Sequence, residues 1–104
     1  MINEADLEKE IQEKGLTAPR LTPELIDEKI KDVKYHVFSL TQTTVCLIVL
    51  QNGFSVLGHS ACASPENFDK EIGEKISYDN ARSKIWELEG YLLKEKLYID
   101  SQSS

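Results

Sequence analysis

Long apolar runs, cysteines and basic clusters are what this chain has least of, and each shortage closes off a class of function. No apolar stretch approaches the roughly 18 residues that span a bilayer, so the chain reads as a soluble protein. Only two cysteines are present, Cys46 and Cys62, too few for a disulfide scaffold. With His36 and His59 they offer no close Cys pair of the kind zinc sites use, so no metal is expected. A formal charge of -6 leaves no clustered Lys and Arg with which to neutralise a phosphate backbone. Direct nucleic-acid binding is therefore not expected, and a basic protein partner suits the charge better. The acids alternate with lysines rather than forming a dense run, which argues against mimicry of nucleic acid. The opening residues, Met1-Ile2-Asn3-Glu4-Ala5-Asp6, have no basic region followed by an apolar one and no cleavage site, which places the protein in a cytoplasm. There is no glycine-rich phosphate loop either, since Gly58 stands alone, and no cofactor is expected.

What is present fits one α+β domain. At 104 residues the chain can bury a single core. Residues 1–15 suggest a weakly ordered amphipathic helix whose thin apolar stripe is Leu7 and Ile11, extended only by Ile2 or Gln12. Gly15 is a plausible stop, and Leu16 to Arg20 should cross the surface as an extended connector. Thr22-Pro23-Glu24 has the chemistry of a helix start: a capping hydroxyl, a proline where no N–H is needed, and an acid at the positive end of the dipole. That helix should run to about Lys31, with Leu25, Ile26 and Ile30 on its apolar edge and Asp27 and Glu28 facing water.

From Val33 the period changes to two. A strand to Leu40, a turn at Thr41-Gln42, a second strand Thr43 to Leu50 and a third from Phe54 to Gly58 make a three-stranded antiparallel meander. Asn52-Gly53 is its hairpin. The second strand is apolar at both parities, as a strand covered on both faces would be.

Ser64-Pro65-Glu66 predicts the start of a long C-terminal helix packed on the sheet. Phe68, Ile72 and Ile76 form one apolar stripe, Ala81, Ile85, Leu88 and Leu92 a second, and Trp86, Leu93 and Leu97 a third on another side. Such a helix is either buried on two sides or bent near Ser77 to Asn80. Gly73 and Gly90 each cost about 1 kcal/mol relative to Ala in a helix, and close approach of another backbone is their usual return. Gly90 lies beside Trp86, Leu93 and Leu97, so this side is expected to meet a second subunit, a dimer first, or the sheet at short range. The core domain spans 16–98, and 99–104 should be a disordered tail.

Two candidate sites follow. Ser60, Cys62, Ser64 and Asn67 sit where a strand meets a helix start, a place that attracts anions, and Arg20 and Arg82 could join them to hold a small ligand or nucleotide. Tyr78, Trp86, Gly90, Tyr91, Leu93 and Leu97 are the candidate partner or oligomer surface, because aromatic groups dominate binding hot spots. No catalytic residues can be assigned. His59 and Cys62 are three apart with no orienting carboxylate, and the acids of the last helix scatter among Lys70, Lys75, Arg82 and Lys84 as a solvated face does.

Several segments also resemble a known family. They are Thr17 to Pro23, Asn52 to Gly58, Ser60-Ala61-Cys62 with Asn67-Phe68-Asp69, Glu71-Ile72-Gly73, and Asn80-Ala81-Arg82 leading to Lys84 to Leu93. Together, over roughly residues 16–97, they are similar to the small tailed-phage proteins named for phage gene products 49 and 66. The resemblance implies a phage or prophage origin, expression in a bacterial cytoplasm, and no catalytic set to carry over. By analogy with other small acidic phage proteins, it implies a non-enzymatic accessory protein that binds and modulates a host factor, with counter-defence among its roles. Sequestration of a small molecule or nucleotide at the 60–67 turn is the alternative.

Overall fold

In the computed structural model, which describes residues 3–102, the order is α1 (Glu4–Glu13), α2 (Pro23–Lys29), β1 (Ile30–Val37), β2 (Thr43–Leu50), β3 (Ser55–Ala61), a 3-10 turn (Pro65–Asn67) and α3 (Lys70–Gln102). The strands form one antiparallel sheet in the order β1-β2-β3. The meander, the long C-terminal helix against the sheet and the helices before them are all as the sequence suggests.

Local chemistry sets most boundaries. Thr22 caps α2 by accepting from the Leu25 amide at 3.2 Å, with Pro23 in the first turn. β1 starts earlier than expected, at Ile30, and α2 ends earlier, at Lys29. Leu40, expected to close the first strand, instead takes a positive φ of 63° in the turn before β2. Gly53 has φ 92°, as the hairpin requires of a glycine.

Three expectations are corrected. First, Ser64-Pro65 does not begin the long helix: it heads one 3-10 turn that stops where Phe68 becomes extended. Asp69 is the true cap, its carboxylate accepting from the Ile72 amide at 3.0 Å. Second, β2 is covered by a helix on one face only. Thr44, Cys46, Ile48 and Leu50 are buried under α3, while Val45, Leu47 and Val49 line an open face and are only half-buried. Third, the stripe that seats the first half of α3 is not Phe68, Ile72 and Ile76. Ile72 and Ile76 are exposed, and Gly73, Ser77 and Ala81 turn inward.

The reason for the third correction is Gly58. A Cβ built on it would lie 2.3 Å from both the Ala81 amide nitrogen and the Ser77 carbonyl oxygen. The α3 backbone rests on the bare β3 backbone, and at that range only small side chains fit between them. Gly73 faces Thr44 in the same way, the Thr44 Oγ1 lying 2.7 Å from where a Cβ would stand. Within this chain no backbone approaches Gly90 in that way, since a Cβ built on it would meet only Leu21 Cδ1, at 4.0 Å. The core then closes around Ile26, Ile48, Val56 and Ile85, with Trp86 and Tyr78 packed at its edge.

α3 is a single unbroken run of helix. Its two apolar sides serve two surfaces: Ala81 and Ile85 meet the sheet, and Trp86 packs beside α1 and α2. Of the expected tail, residues 99–102 continue α3 and residues 103–104 lie outside the described residues, as does Ile2. We expect Gly58→Ala to destabilise the fold by about 3 kcal/mol, since two backbones must separate. Gly90→Ala should stabilise it by about 0.5–1 kcal/mol. Urea unfolding of the two variants beside the parent protein measures both.

Candidate functional site

The densest polar cluster surrounds Arg82, on the α3 turn between Tyr78 and Trp86. Its side chain is only 8% exposed, and a buried guanidinium needs a partner for every donor. Nε and Nη2 donate to the two carboxylate oxygens of Glu4 at 2.8 and 2.9 Å, a bidentate clasp. Nη1 donates to Asp27 at 2.7 Å and to the Tyr78 hydroxyl at 3.0 Å, and Nη2 also reaches the Pro23 carbonyl at 3.2 Å. These five bonds use the five N–H donors of the group. The Trp86 indole N–H donates to Glu4 as well, at 3.0 Å. One carboxylate on α1 thus ties that helix to two side chains of α3.

Electrostatics follow the geometry. Burial disfavours the charge on Arg82, but the hydrogen bonds it donates to Glu4 and Asp27 outweigh it and hold its pKa above the ordinary arginine value. Arg82 holds the Glu4 carboxyl below its usual range; partial burial works against this and Trp86 assists. A second clasp of the same kind joins Arg20 to Glu8 at 2.7 and 2.8 Å, and Arg20 lowers the Glu8 pKa in turn. Between α1, α2 and α3 lies a groove of about 950 Å3. Leu7, Ile11, Leu21, Pro23 and Trp86 make its apolar walls. Its charged lining is four carboxylates, Glu4, Glu8, Asp27 and Asp79, against the single guanidinium of Arg82.

The residues expected to bind an anion are not brought together. Ser60 donates its hydroxyl to the Gly73 carbonyl at 2.9 Å, and the Cys62 thiol turns to the Ser64 carbonyl at 3.3 Å. Ser64 makes no side-chain cap, and Asn67 is exposed within the 3-10 turn. Arg20 and Arg82 are engaged with Glu8, Glu4 and Asp27, and neither donates to the 60–67 turn. The proposed partner residues divide as well. Tyr78 and Trp86 line the groove, Gly90 and Leu93 lie partly covered, and Tyr91 and Leu97 are exposed on the outer part of α3.

Glu4, Glu8 and Asp27 were missed as site residues, because a thin Glu/Lys helix and an exposed acid on a short helix both look like solvated surface. The signal that could have found them is Arg82 itself. It follows Ala81 and precedes Ile85 and Trp86 on the inward side of a core helix, where a cation requires carboxylates from elsewhere in the chain.

A model of the phage protein (N4 Gp49/phage Sf6 gene 66) family matches residues 21–97. The matched segment carries the sheet, Asp27, Tyr78, Arg82 and Trp86, whereas α1, with Glu4 and Glu8, lies outside it. No curated protein and no solved structure matches the chain. Among the described residues no helix is long and apolar enough to cross a membrane.

The clasp sets a pH dependence. The folded Glu4 carboxyl titrates below its ordinary value of 4.5, so its contribution is complete above that value and is lost as pH falls through the lower folded one. With Glu4 about one-third exposed, the contribution is about 1 kcal/mol. The fluorescence of Trp86, the one tryptophan in the chain, should therefore show an acid step below pH 4.5 in the parent protein. Glu4→Gln, already uncharged, should lack that step.

Proposed function

Because the chain belongs to the phage protein family of N4 Gp49 and phage Sf6 gene 66, we propose that it is a phage accessory protein working in the cytoplasm of the bacterial host. On this reading it acts by occupying a host protein rather than by catalysis. The supporting observation is the groove between α1 and α3: apolar walls for hydrophobic anchors, and a carboxylate lining that stays net negative after Arg82 pairs with Glu4 and Asp27 and Arg20 with Glu8. Such a site suits an amphipathic segment with Lys or Arg at its edges, and the overall charge of -6 favours encounter with a basic partner. Disabling a host defence factor is one role that such occupancy would serve.

Ligand sequestration at the 60–67 turn has less support, since the hydroxyl of Ser60 and the thiol of Cys62 already bond to backbone carbonyls and both arginines have carboxylate partners. The test is affinity capture from phage-infected cells with the parent protein and with a Leu7→Asp, Ile11→Asp double variant. Both side chains line the groove from α1, so the variant keeps the core. We expect a specific host protein to be retained by the parent and reduced at least tenfold by the variant. Equal retention by both would exclude the groove. A bound nucleotide with no host protein, seen by native mass spectrometry, would favour sequestration instead.

A further inference from the structure

Besides the groove, the described residues leave two apolar surfaces of complementary kinds without a covering layer. One is a helix without a sheet. The stripe of α3 that buries Ser77, Ala81 and Ile85 against the sheet continues at the same spacing through Leu88 and Leu92, with Tyr91 and Tyr98 beside it. Leu92 is 58% exposed, and every residue from Lys94 to Gln102 is exposed. The 33-residue helix has therefore outrun its support, which also gives the molecule its 59 Å long axis.

The other is a sheet without a helix. The register places Val45, Leu47 and Val49 of β2 on the face opposite α3, with Leu57 of β3 paired to Leu47 and exposed. The edges of this face are polar. His36 and Lys34 pair with Val45 and Leu47 from β1, and His59 pairs with Val45 from β3. Asp32 holds Lys34 only loosely, at 3.9 Å.

We propose that each surface is covered by the other from a second copy of this chain. The overhanging stripe points toward the layer of its own sheet, so a second sheet placed end to end in that layer, with its open face turned over, lies beneath the overhang. A two-fold axis that turns one sheet over relates the copies, and the second overhang then lies across the open face of the first. The dimensions agree. Leu88 to Gln102 is about 22 Å of helix, and the eight residues of β2 span about 26 Å.

Area decides between this arrangement and simpler ones. Three strands of this length present a face of roughly 350 Å2. A single helix-on-sheet contact therefore falls short of a specific interface, whereas the reciprocal pair buries about 1,400 Å2 in total, within the standard range. The charges on both surfaces are mixed, Glu95 and Lys96 beside the overhang stripe and Asp32 and Lys34 on the edge of the face, so area and not charge favours the reciprocal pair.

The measurement is sedimentation equilibrium of the whole chain at tens of micromolar, on the parent protein, Leu47→Glu and Leu92→Glu. We expect a dimer of the 11.8 kDa chain, with each substitution weakening it at least tenfold. A parent protein that stays monomeric overturns the proposal. So does a dimer that survives Leu47→Glu and is lost with Leu92→Glu, since the overhangs would then pair with each other. Should either variant lose its circular dichroism, hydrogen exchange of the parent at low and high concentration decides. Protection must rise with concentration in both the overhang and the sheet, and a rise in the helix alone rejects the arrangement.

Discussion

The contact on which the fold depends is the seat of the α3 backbone on the bare strand at Gly58. With Ala81 and Ser77 atoms occupying the space a side chain would need, helix and sheet are locked in one relative position. Everything inward of that line must be small, hence Gly73, Ser77 and Ala81, and the larger residues are displaced to the flanks. Ile85 and Trp86, one turn further on, are then the first bulky groups able to close the core. Helix placement is in this sense set by what is missing from a strand rather than by the largest apolar groups on the helix.

With α3 fixed, Arg82 is carried to the edge of the core, where burial would be costly without partners. Glu4, Asp27, Tyr78 and the Pro23 carbonyl supply them, and in doing so hold α1 and α2 against α3. Glu4 and Glu8 fasten α1, while its apolar residues Leu7 and Ile11 face the groove. Structure and proposed use share one cause: the charges fasten, and the apolar side chains remain available.

The meander was legible because its signals are local. Asn52-Gly53 demands a tight hairpin, the alternation in β1 has period two, and Thr22-Pro23-Glu24 carries the capping hydroxyl, proline and acid of a helix start. The seat of α3 was not legible, since Phe68, Ile72 and Ile76 make a better apolar stripe than Gly73, Ser77 and Ala81, and only the missing Cβ of Gly58 reverses the ranking. The open face of β2 was hidden because a strand apolar at both parities does not say which layer is absent. The Arg82 clasp joins residues 78 apart in sequence, and no local pattern encodes such a pairing.

That separation also bears on the order of assembly. The three strands and the first half of α3 meet neighbours close in sequence, and each such step closes a short loop at little entropic cost. The Glu4 clasp instead closes nearly the whole chain, and Arg82 leaves the ribosome long after Glu4 does. Until then α1 is held only by the local Arg20–Glu8 clasp, and its acidic, weakly apolar surface can stay solvated without competing for the core. The last element to lock into place is therefore made well before the residue that locks it.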